Sequence, residues 1–299
     1  MKILVVWTGA LACLYAARLA SAGDWVVMLG SWPAGVDALR KNGVRLQELD
    51  GTQVACPVEV LEYNETQGSF SHALVLVKAW QTQKAAHQLM SCLSLDGIAL
   101  TLQNGAGNVE ILKESLGAER VVLGVTTEGA MLVEPGCARH TGQGKVIIGA
   151  HPKTAALKRL FSKAGFKVEI VADAESALWG KLVINAAINP LTALLRVPNG
   201  ELLARPSARQ LMAEAAQEAA RVANQRGIRL PYHDPVAAVE EVARNTATNN
   251  SSMLQDVLRG TPTEIDAING AIVQAGEELG ISTPVNRLLW NLVKAIDHH

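Results

Sequence analysis

Three polar side chains at helical spacing interrupt an otherwise apolar stretch in the second half of the chain. Lys181, Asn185 and Asn189 lie four residues apart within residues 179–190, where most of the other side chains are apolar. At about 100° per residue in an α-helix, the three side chains share a stripe roughly 80° wide. Burial of an ammonium and two amides without partners costs several kcal/mol, so such a stripe typically lines a wet cavity or binds a polar ligand. The alternative is an amphipathic helix with a narrow solvated face.

A second candidate site follows the first apolar run, where a predicted strand leads into a glycine turn and a helix. This arrangement holds a dinucleotide pyrophosphate on the free N–H groups of a helix N-terminus. The fingerprint Gly-x-Gly-x-x-Gly/Ala is matched at its second and third positions but not at its first, and its six residues here are Trp7, Thr8, Gly9, Ala10, Leu11 and Ala12. Tryptophan in the first position adds an indole at the mouth of the turn and restricts the backbone. Alone, the motif is equally typical of an ordinary strand-turn-helix corner.

The end of the second predicted strand indicates which cofactor such a turn would serve. An acidic residue there accepts the ribose hydroxyls of NAD, whereas a basic residue binds the 2′-phosphate of NADP. In this chain Gly30 is followed by Ser31 and Trp32. The missing acid favours NADP and the missing arginine weakens that preference. Ser31 is either a donor to a phosphate or a turn residue.

The elements that must position these residues change in type along the chain. Apolar runs predict strands near 2–7, 25–29, 73–77, 98–102, 121–125, 145–148 and 167–171, and helical periodicity predicts helices near 10–20, 81–92, 109–116 and 154–164. Strands that alternate with helices indicate a doubly wound, mostly parallel sheet. After residue 173 the strand signals stop and helical periodicity continues. We therefore predict two domains, at residues 1–172 and 173–299.

Composition limits the classes of partner. The 27 Lys+Arg and 28 Asp+Glu residues leave a formal net charge of -1, which predicts a small-molecule partner and neither nucleic acid nor a membrane. The four cysteines, at positions 13, 56, 92 and 137, show no short paired spacing, so we expect reduced core thiols and no metal site. The first apolar run is too short for a signal peptide or a membrane span, and a cytoplasmic protein is expected.

Motifs in both halves of the chain resemble one family closely, the ketopantoate reductases (2-dehydropantoate 2-reductases), which are NADPH enzymes of pantothenate synthesis. The resemblance covers almost the whole chain and rests on residues 78–81, 103–105, 181–193, 198–202, 251–256 and 263–266. It implies an α/β fold in which an N-terminal Rossmann-type doubly wound sheet is followed by an all-α C-terminal domain, of the 6-phosphogluconate dehydrogenase-like kind. It also implies NADPH as the cofactor, ketopantoate as the substrate, and an active site between the two domains.

The resemblance further implies roles for single residues. Lys181 would be the catalytic lysine, which polarises the C2 carbonyl of ketopantoate and protonates its oxygen as hydride arrives from NADPH. Glu264 would be the acidic partner that orients this end of the cofactor and the site. The substrate-binding side chains would be Asn185, Asn189, Asn199 and Ser252, the last holding the substrate carboxylate. Lys78 and Asn104 would lie near the ribose and nicotinamide, and Ala130 would touch the nucleotide through its backbone.

Several of these residues also have purely structural interpretations. Lys78 at a strand end is often a solvated charge, and Asn104 begins an Asn-Gly turn dipeptide. Glu264 ends the sequence Thr-Pro-Thr-Glu at 261–264, which is a capping box with proline at the first helical position. Ser252 can begin a helix and Asn199 can be a turn residue.

Three functions remain open on these observations. The first is reduction of ketopantoate with NADPH, and the second is the same chemistry on another branched 2-keto acid. The third is a non-catalytic binding protein or sensor whose nucleotide turn is impaired. Alanine-rich helical stretches such as residues 211–223 fit either a homodimer contact or the core of the helical domain.

Overall fold

The computed structural model describes residues 1–63, 65 and 69–297. Contacts divide the chain into two units, one formed by Met1–Gln103 with Asn108–Ala174 and the other by Asn104–Gly107 with Glu175–His299. The short loop Asn104–Gly107 thus belongs by its contacts to the second unit.

The first unit alternates strands and helices. Its strands are β1 (Lys2–Val6), β2 (Trp25–Gly30), β3 (Val44–Gln47), β4 (Gln53–Cys56), β5 (Glu59–Glu62), β6 (Phe70–Val75), β7 (Leu93–Thr101), β8 (Val121–Thr126), β9 (Gly129–Glu134), β10 (Cys137–Gly142), β11 (Val146–Gly149) and β12 (Val168–Val171). Its helices are α1 (Ala10–Ser21), α2 (Pro33–Asn42), α3 (Thr82–Cys92), α4 (Asn108–Leu116) and α5 (Thr154–Lys163).

Eight strands form the main sheet in the order β12-β11-β8-β7-β6-β1-β2-β5, and every neighbouring pair is parallel except β11 with β8. Alternate side chains of β1 belong to the two apolar clusters on opposite faces of the main sheet, because successive residues of a strand point to opposite faces. Ile3 and Val5 pack with residues of α1 and α5, whereas Leu4 and Val6 pack with residues of α3 and α4. Helices on both faces explain why the central strands read as continuous apolar runs. The predicted Rossmann-type doubly wound sheet is confirmed.

A second, four-stranded sheet in the order β4-β3-β10-β9 was not predicted from the sequence, and neither were β5 and α2. Its strands are only four to six residues long, and polar residues interrupt β3, β4 and β10, so these three lack the apolar runs that mark the main sheet. The turn between β9 and β10 contains Gly136 at a φ of 70°. One thiol also departs from expectation, because Cys56 is partly exposed on β4 while the other three cysteines are buried.

The second unit is helical, as predicted. Its helices are α6 (Glu175–Leu195), α7 (Glu201–Ala204), α8 (Pro206–Gln225), α9 (Pro235–Asn245), α10 (Ser252–Arg259), α11 (Ala271–Glu278) and α12 (Pro284–Ile296). A π-helical turn at Asp266–Gly270 runs directly into α11. Residues of α6 lie at the centre of the apolar cluster, together with residues of α8, α9 and α12. Within the described residues α6 is the one helix long and apolar enough to cross a membrane, but 67% of its most apolar window is buried inside the protein, as in a core helix.

Candidate active site

The polar stripe predicted from the sequence lies on the central helix of the second unit. All three of its residues fall within α6, with Lys181 and Asn185 partly exposed and Asn189 5% exposed. The helix forms because its remaining faces are apolar, and neighbours such as Leu182 and Val183 are buried in the core. One helix thus presents an ammonium and two amides in a row, with successive groups about 6 Å apart along its axis.

Lys181 carries a perturbed ammonium. The surrounding protein removes water from this side chain, and this desolvation lowers the pKa of Lys181 from 10.5 to about 8, although the Glu264 carboxylate acts to raise it. Glu264 itself is only 5% exposed. An amine with such a pKa is mostly protonated at neutral pH and releases its proton more readily than a solvated lysine. This is the property required of a general acid.

Glu264 is joined to the loop at residues 104–107. Asn104 Nδ2 donates to Glu264 Oε2 at 3.4 Å, and the backbone N–H of Ala106 donates to the carbonyl of Ala267 at 2.9 Å. Gly105 has a φ of 83°, and a Cβ there would lie 2.6 Å from the Ala267 carbonyl oxygen, so this position requires glycine. A tight turn therefore brings together Asn104 and Glu264, which were predicted as separate site residues.

The capping-box interpretation of Glu264 is wrong. In a capping box the N–H of Thr261 would donate to the Glu264 carboxylate. It instead donates to the carbonyl of Asp256 at 3.0 Å. Helical hydrogen bonding begins later, where the N–H of Ile268 donates to the Glu264 carbonyl at 3.1 Å. The chain turns near Thr261 to complete the end of α10, which moves the helix start towards the C-terminus.

A proline in the middle of α6 is compensated by a buried amide. Pro190 has no N–H and leaves the carbonyl of Ala186 without its usual helical donor. Asn269 Nδ2 donates to that carbonyl at 3.0 Å and also to Asn286 Oδ1 at 3.0 Å. Asn286 Nδ2 in turn donates to the buried carboxylate of Glu218 at 2.9 Å. This network fixes α6 between its two asparagines. Asn269 was not predicted, although a proline inside a predicted helix signals that an external donor is needed.

Hydroxyl groups fix the start of α10 against α6. Ser251 Oγ accepts from the N–H of Leu254 at 3.0 Å and is 2.7 Å from Thr192 Oγ1. The neighbouring Ser252 is thereby held near the stripe, and its Oγ accepts from Asn189 Nδ2 at 3.5 Å. The structure therefore brings Asn189 and Ser252 together. Neither Thr192 nor Ser251 was assigned this role from the sequence, because the contact joins residues distant in the chain.

Asn199 contacts the loop that precedes α10 rather than the polar stripe. Its Nδ2 donates to Thr246 Oγ1 at 2.8 Å, and its backbone N–H donates to the carbonyl of Asn249 at 3.0 Å. Its Oδ1 is buried and has no hydrogen-bond partner among the described residues. A buried acceptor of this kind is available to a ligand donor.

Most of the predicted cofactor residues lie at one edge of the main sheet in the first unit. Residues 7–9 follow β1, Ser31 follows β2 and Lys78 lies three residues after β6, and these three strands are parallel neighbours in register. Their carboxyl ends form the edge where open α/β sheets bind ligands. Ala130 lies elsewhere, in β9 of the smaller sheet opposite His140.

The backbone of the turn fits a dinucleotide pyrophosphate. Gly9 precedes α1 with an extended backbone, and no side chain caps the helix, so its first N–H groups are available to an anion. Ala12 is fully buried, as the close helix-strand contact at the third fingerprint position requires. Thr8 is also fully buried, and its Oγ1 has no hydrogen-bond partner among the described residues. The side chain of Trp7 is the one part of the turn that does not fit.

Comparison with known proteins identifies similar chains over the whole length. Residues 3–153 match the family described as "Ketopantoate reductase PanE/ApbA", and residues 173–297 match "Ketopantoate reductase PanE/ApbA C terminal". A 2-dehydropantoate 2-reductase of Archaeoglobus fulgidus is 36% identical over 303 residues, which cover 99% of this chain and 98% of that protein.

Solved structures agree with these matches. The crystal structure of a PanE/ApbA family ketopantoate reductase from Ralstonia eutropha is 33% identical, with a TM-score of 0.92 and coverage of 99% of this chain and 98% of that one. D-mandelate dehydrogenase, in a ternary structure with NADH and anilino(oxo)acetate, is 26% identical with a TM-score of 0.93 and the same coverage.

Proposed function

Because the chain belongs to the ketopantoate reductase family, we propose that it reduces the C2 keto group of 2-dehydropantoate to the hydroxyl of pantoate, with NADPH as the electron donor. The observation that carries this proposal is the desolvated ammonium of Lys181, with its pKa near 8, on the helix that presents two amides. The nicotinamide cofactor, when bound, supplies hydride chemistry. Residues 1–172 would bind this cofactor and residues 173–299 the substrate.

Lys181 is the proton donor in this reaction. Its ammonium donates a hydrogen bond to the keto oxygen and transfers a proton to that oxygen as negative charge develops on it. Partial removal of water strengthens this interaction, since charges attract more strongly in a low-dielectric site. Glu264 acts on the donor by opposing the fall in its pKa, which keeps the amine protonated near neutral pH.

The remaining polar groups bind the two ends of the substrate. Ser252 Oγ and the N-terminus of α10 are suited to the substrate carboxylate, because both supply hydrogen bonds to an anion. The amides of Asn185, Asn189 and Asn199 are suited to the keto acid and to its C4 hydroxyl, which both accept and donate hydrogen bonds. Lys78, Asn104 and Ala130 remain our assignments for the cofactor, together with the turn and Ser31.

The preference for NADPH is supported by the residues after β2. Gly30 is followed by Ser31 and Trp32, and no acid stands where an NAD-specific chain accepts the ribose hydroxyls. A carboxylate there would repel a 2′-phosphate, whereas the Ser31 hydroxyl can donate to it. We expect kcat/KM to be higher with NADPH than with NADH, and the reverse order would overturn this part of the proposal.

Turnover tests the proposal directly. We expect purified protein to oxidise NADPH when 2-dehydropantoate is added, and Lys181→Ala to lose at least about 99% of kcat. Lys158, an exposed lysine on α5, provides a matched control, and Lys158→Ala should retain full activity. Absence of NADPH oxidation by the unaltered chain, or equal rates for Lys181→Ala and the control, would overturn the proposed function.

A substrate analogue tests the role of the amides. 3,3-Dimethyl-2-oxobutanoate has the carbon skeleton of 2-dehydropantoate but lacks the C4 hydroxyl. A site whose buried amides bind that hydroxyl should discriminate against the analogue by about a hundredfold or more in kcat/KM, because the amides would be left unpaired. Equal rates would instead indicate a reductase of branched 2-keto acids in general. We also propose that the protein acts in the cytoplasm and that its partner is the small molecule 2-dehydropantoate rather than nucleic acid or a membrane.

A further inference from the structure

The backbone of Trp7 has a conformation that side chains rarely adopt. Its φ is 125°, within the region that favours glycine, and among the described residues Arg196 is the one other non-glycine residue with a positive φ. Trp7 stands at the first position of the nucleotide fingerprint, where glycine normally permits the tight turn. The main-chain conformation expected of glycine is therefore kept, although a tryptophan occupies the position.

The indole of Trp7 lies directly over Gly9. A Cβ placed on Gly9 would be 2.4 Å from Trp7 Nε1 and 2.7 Å from Trp7 Cδ1. Gly9 is the second position of the fingerprint, and its missing side chain is what allows the backbone to approach a pyrophosphate. In this chain the space left by that missing side chain is filled by the indole.

Packing holds the indole in this place. The backbone N–H of Trp7 donates to the carbonyl of Leu29 at 2.8 Å, which fixes the residue at the end of β1 beside β2. The side chain also packs against the apolar clusters on both faces of the main sheet. Movement of the indole away from Gly9 therefore costs apolar contacts.

We propose that the Trp7 indole occupies the space needed by the pyrophosphate of the dinucleotide cofactor, so that binding requires the indole to move and affinity is reduced accordingly. This inference rests on the proposed function, because it concerns the same cofactor. It makes Trp7 a determinant of cofactor affinity that opposes binding, while the helix N-terminus beside it favours binding.

Calorimetric titration of Trp7→Gly against the unaltered chain tests the proposal without a catalytic assay. We expect the Kd for NADPH to fall at least tenfold. ADP-ribose, which contains the pyrophosphate, should show a gain of similar size. The Kd for adenosine 2′-monophosphate, which lacks the pyrophosphate, should change by less than twofold. An unchanged Kd for NADPH, or equal gains for all three ligands, would contradict the proposal.

Two variants control the interpretation. Trp7→Ala removes the indole but keeps a side chain at the positive φ. This variant should still bind NADPH more tightly than the unaltered chain. No gain in affinity would show that the backbone, and not the indole, limits binding. Trp25→Ala removes a 59% exposed indole at the opposite end of β2 and should leave every Kd unchanged. Circular dichroism and thermal unfolding establish that each variant is folded.

The outcome is separable from the fate of the proposed function. If Trp7→Gly binds NADPH tightly and yet does not reduce 2-dehydropantoate, the inference stands and the assigned substrate is wrong. If the unaltered chain turns over normally and Trp7→Gly binds NADPH no better, the reductase assignment stands and the inference fails.

Discussion

The pKa of Lys181 determines how the rate should depend on pH. In the proposed reaction the protonated amine of Lys181 donates to the keto oxygen, and burial lowers the pKa of this amine to about 8. At about pH 7 roughly nine tenths of the molecules carry the proton, and at about pH 9 roughly one tenth do. We therefore predict that kcat/KM for 2-dehydropantoate falls about tenfold between these values, with the midpoint of the falling limb near pH 8.

Substitution of Glu264 provides a second test of the pKa of Lys181. Its carboxylate acts to raise the pKa of Lys181, so Glu264→Gln should lower that pKa further and move the falling limb to lower pH. Glu241 is an exposed glutamate on α9, and Glu241→Gln should leave the limb in place.

The assay is the initial rate of NADPH oxidation at saturating NADPH and limiting 2-dehydropantoate, between about pH 6 and about pH 10. A falling limb at the pKa of a solvated lysine would refute the claim that the ammonium is desolvated. A limb that Glu264→Gln leaves unmoved would refute the coupling between the two groups.

Three further predictions concern the groups around the site. Lys181→Met should raise the free energy of unfolding by about 1 to 3 kcal/mol at pH 7 in chemical denaturation. This gain should shrink above pH 8. In that range Lys181 of the unaltered chain takes up a proton on unfolding, so the free energy of unfolding of the unaltered chain rises with pH. A gain independent of pH would contradict the desolvation of Lys181. Asn269→Ala should lower the free energy of unfolding by about 2 kcal/mol. The cost should be smaller in a Pro190→Ala background, because the helix there regains an N–H donor for the Ala186 carbonyl. Equal costs in the two backgrounds would contradict the role of Asn269 as the replacement donor. Thr192→Val should raise KM for 2-dehydropantoate about tenfold with little change in kcat, since it frees the Ser251 end of α10, while Thr192→Ser should behave normally; a fall in kcat alone would contradict this role.

The main sheet and the helical half were predictable because both depend on local pattern. Strands such as β1 and β2 are buried on both faces and read as apolar runs, and α6 is apolar on every face but one. The smaller sheet was not predictable in this way. Its strands are short, and the parallel pairing of β3 with β10 joins segments about ninety residues apart.

The stripe on α6 was predictable because helical spacing alone aligns Lys181, Asn185 and Asn189. Contacts that cross between elements were not. The bond of Asn269 to the carbonyl exposed by Pro190, and the Thr192 to Ser251 contact, depend on which helices become neighbours. The sequence of residues 261–264 suggested a capping box, but hydrogen bonding to the end of α10 displaced the helix start.

The turn at residues 7–12 illustrates the same limit. The departure from glycine at Trp7 was visible in the sequence, and so was the added bulk of its indole. The positive φ and the contact with Gly9 required the structure, since a tryptophan side chain can occupy several rotamers.

The proposed proton transfer depends above all on the desolvated ammonium of Lys181, and nuclear magnetic resonance can titrate that group directly. The side-chain signal of Lys181 in isotope-labelled protein can be assigned by its loss in Lys181→Arg. We predict a midpoint near pH 8 for this signal. A midpoint at 10.5, the ordinary value for lysine, would show that the ammonium is solvated and would contradict its role as the proton donor.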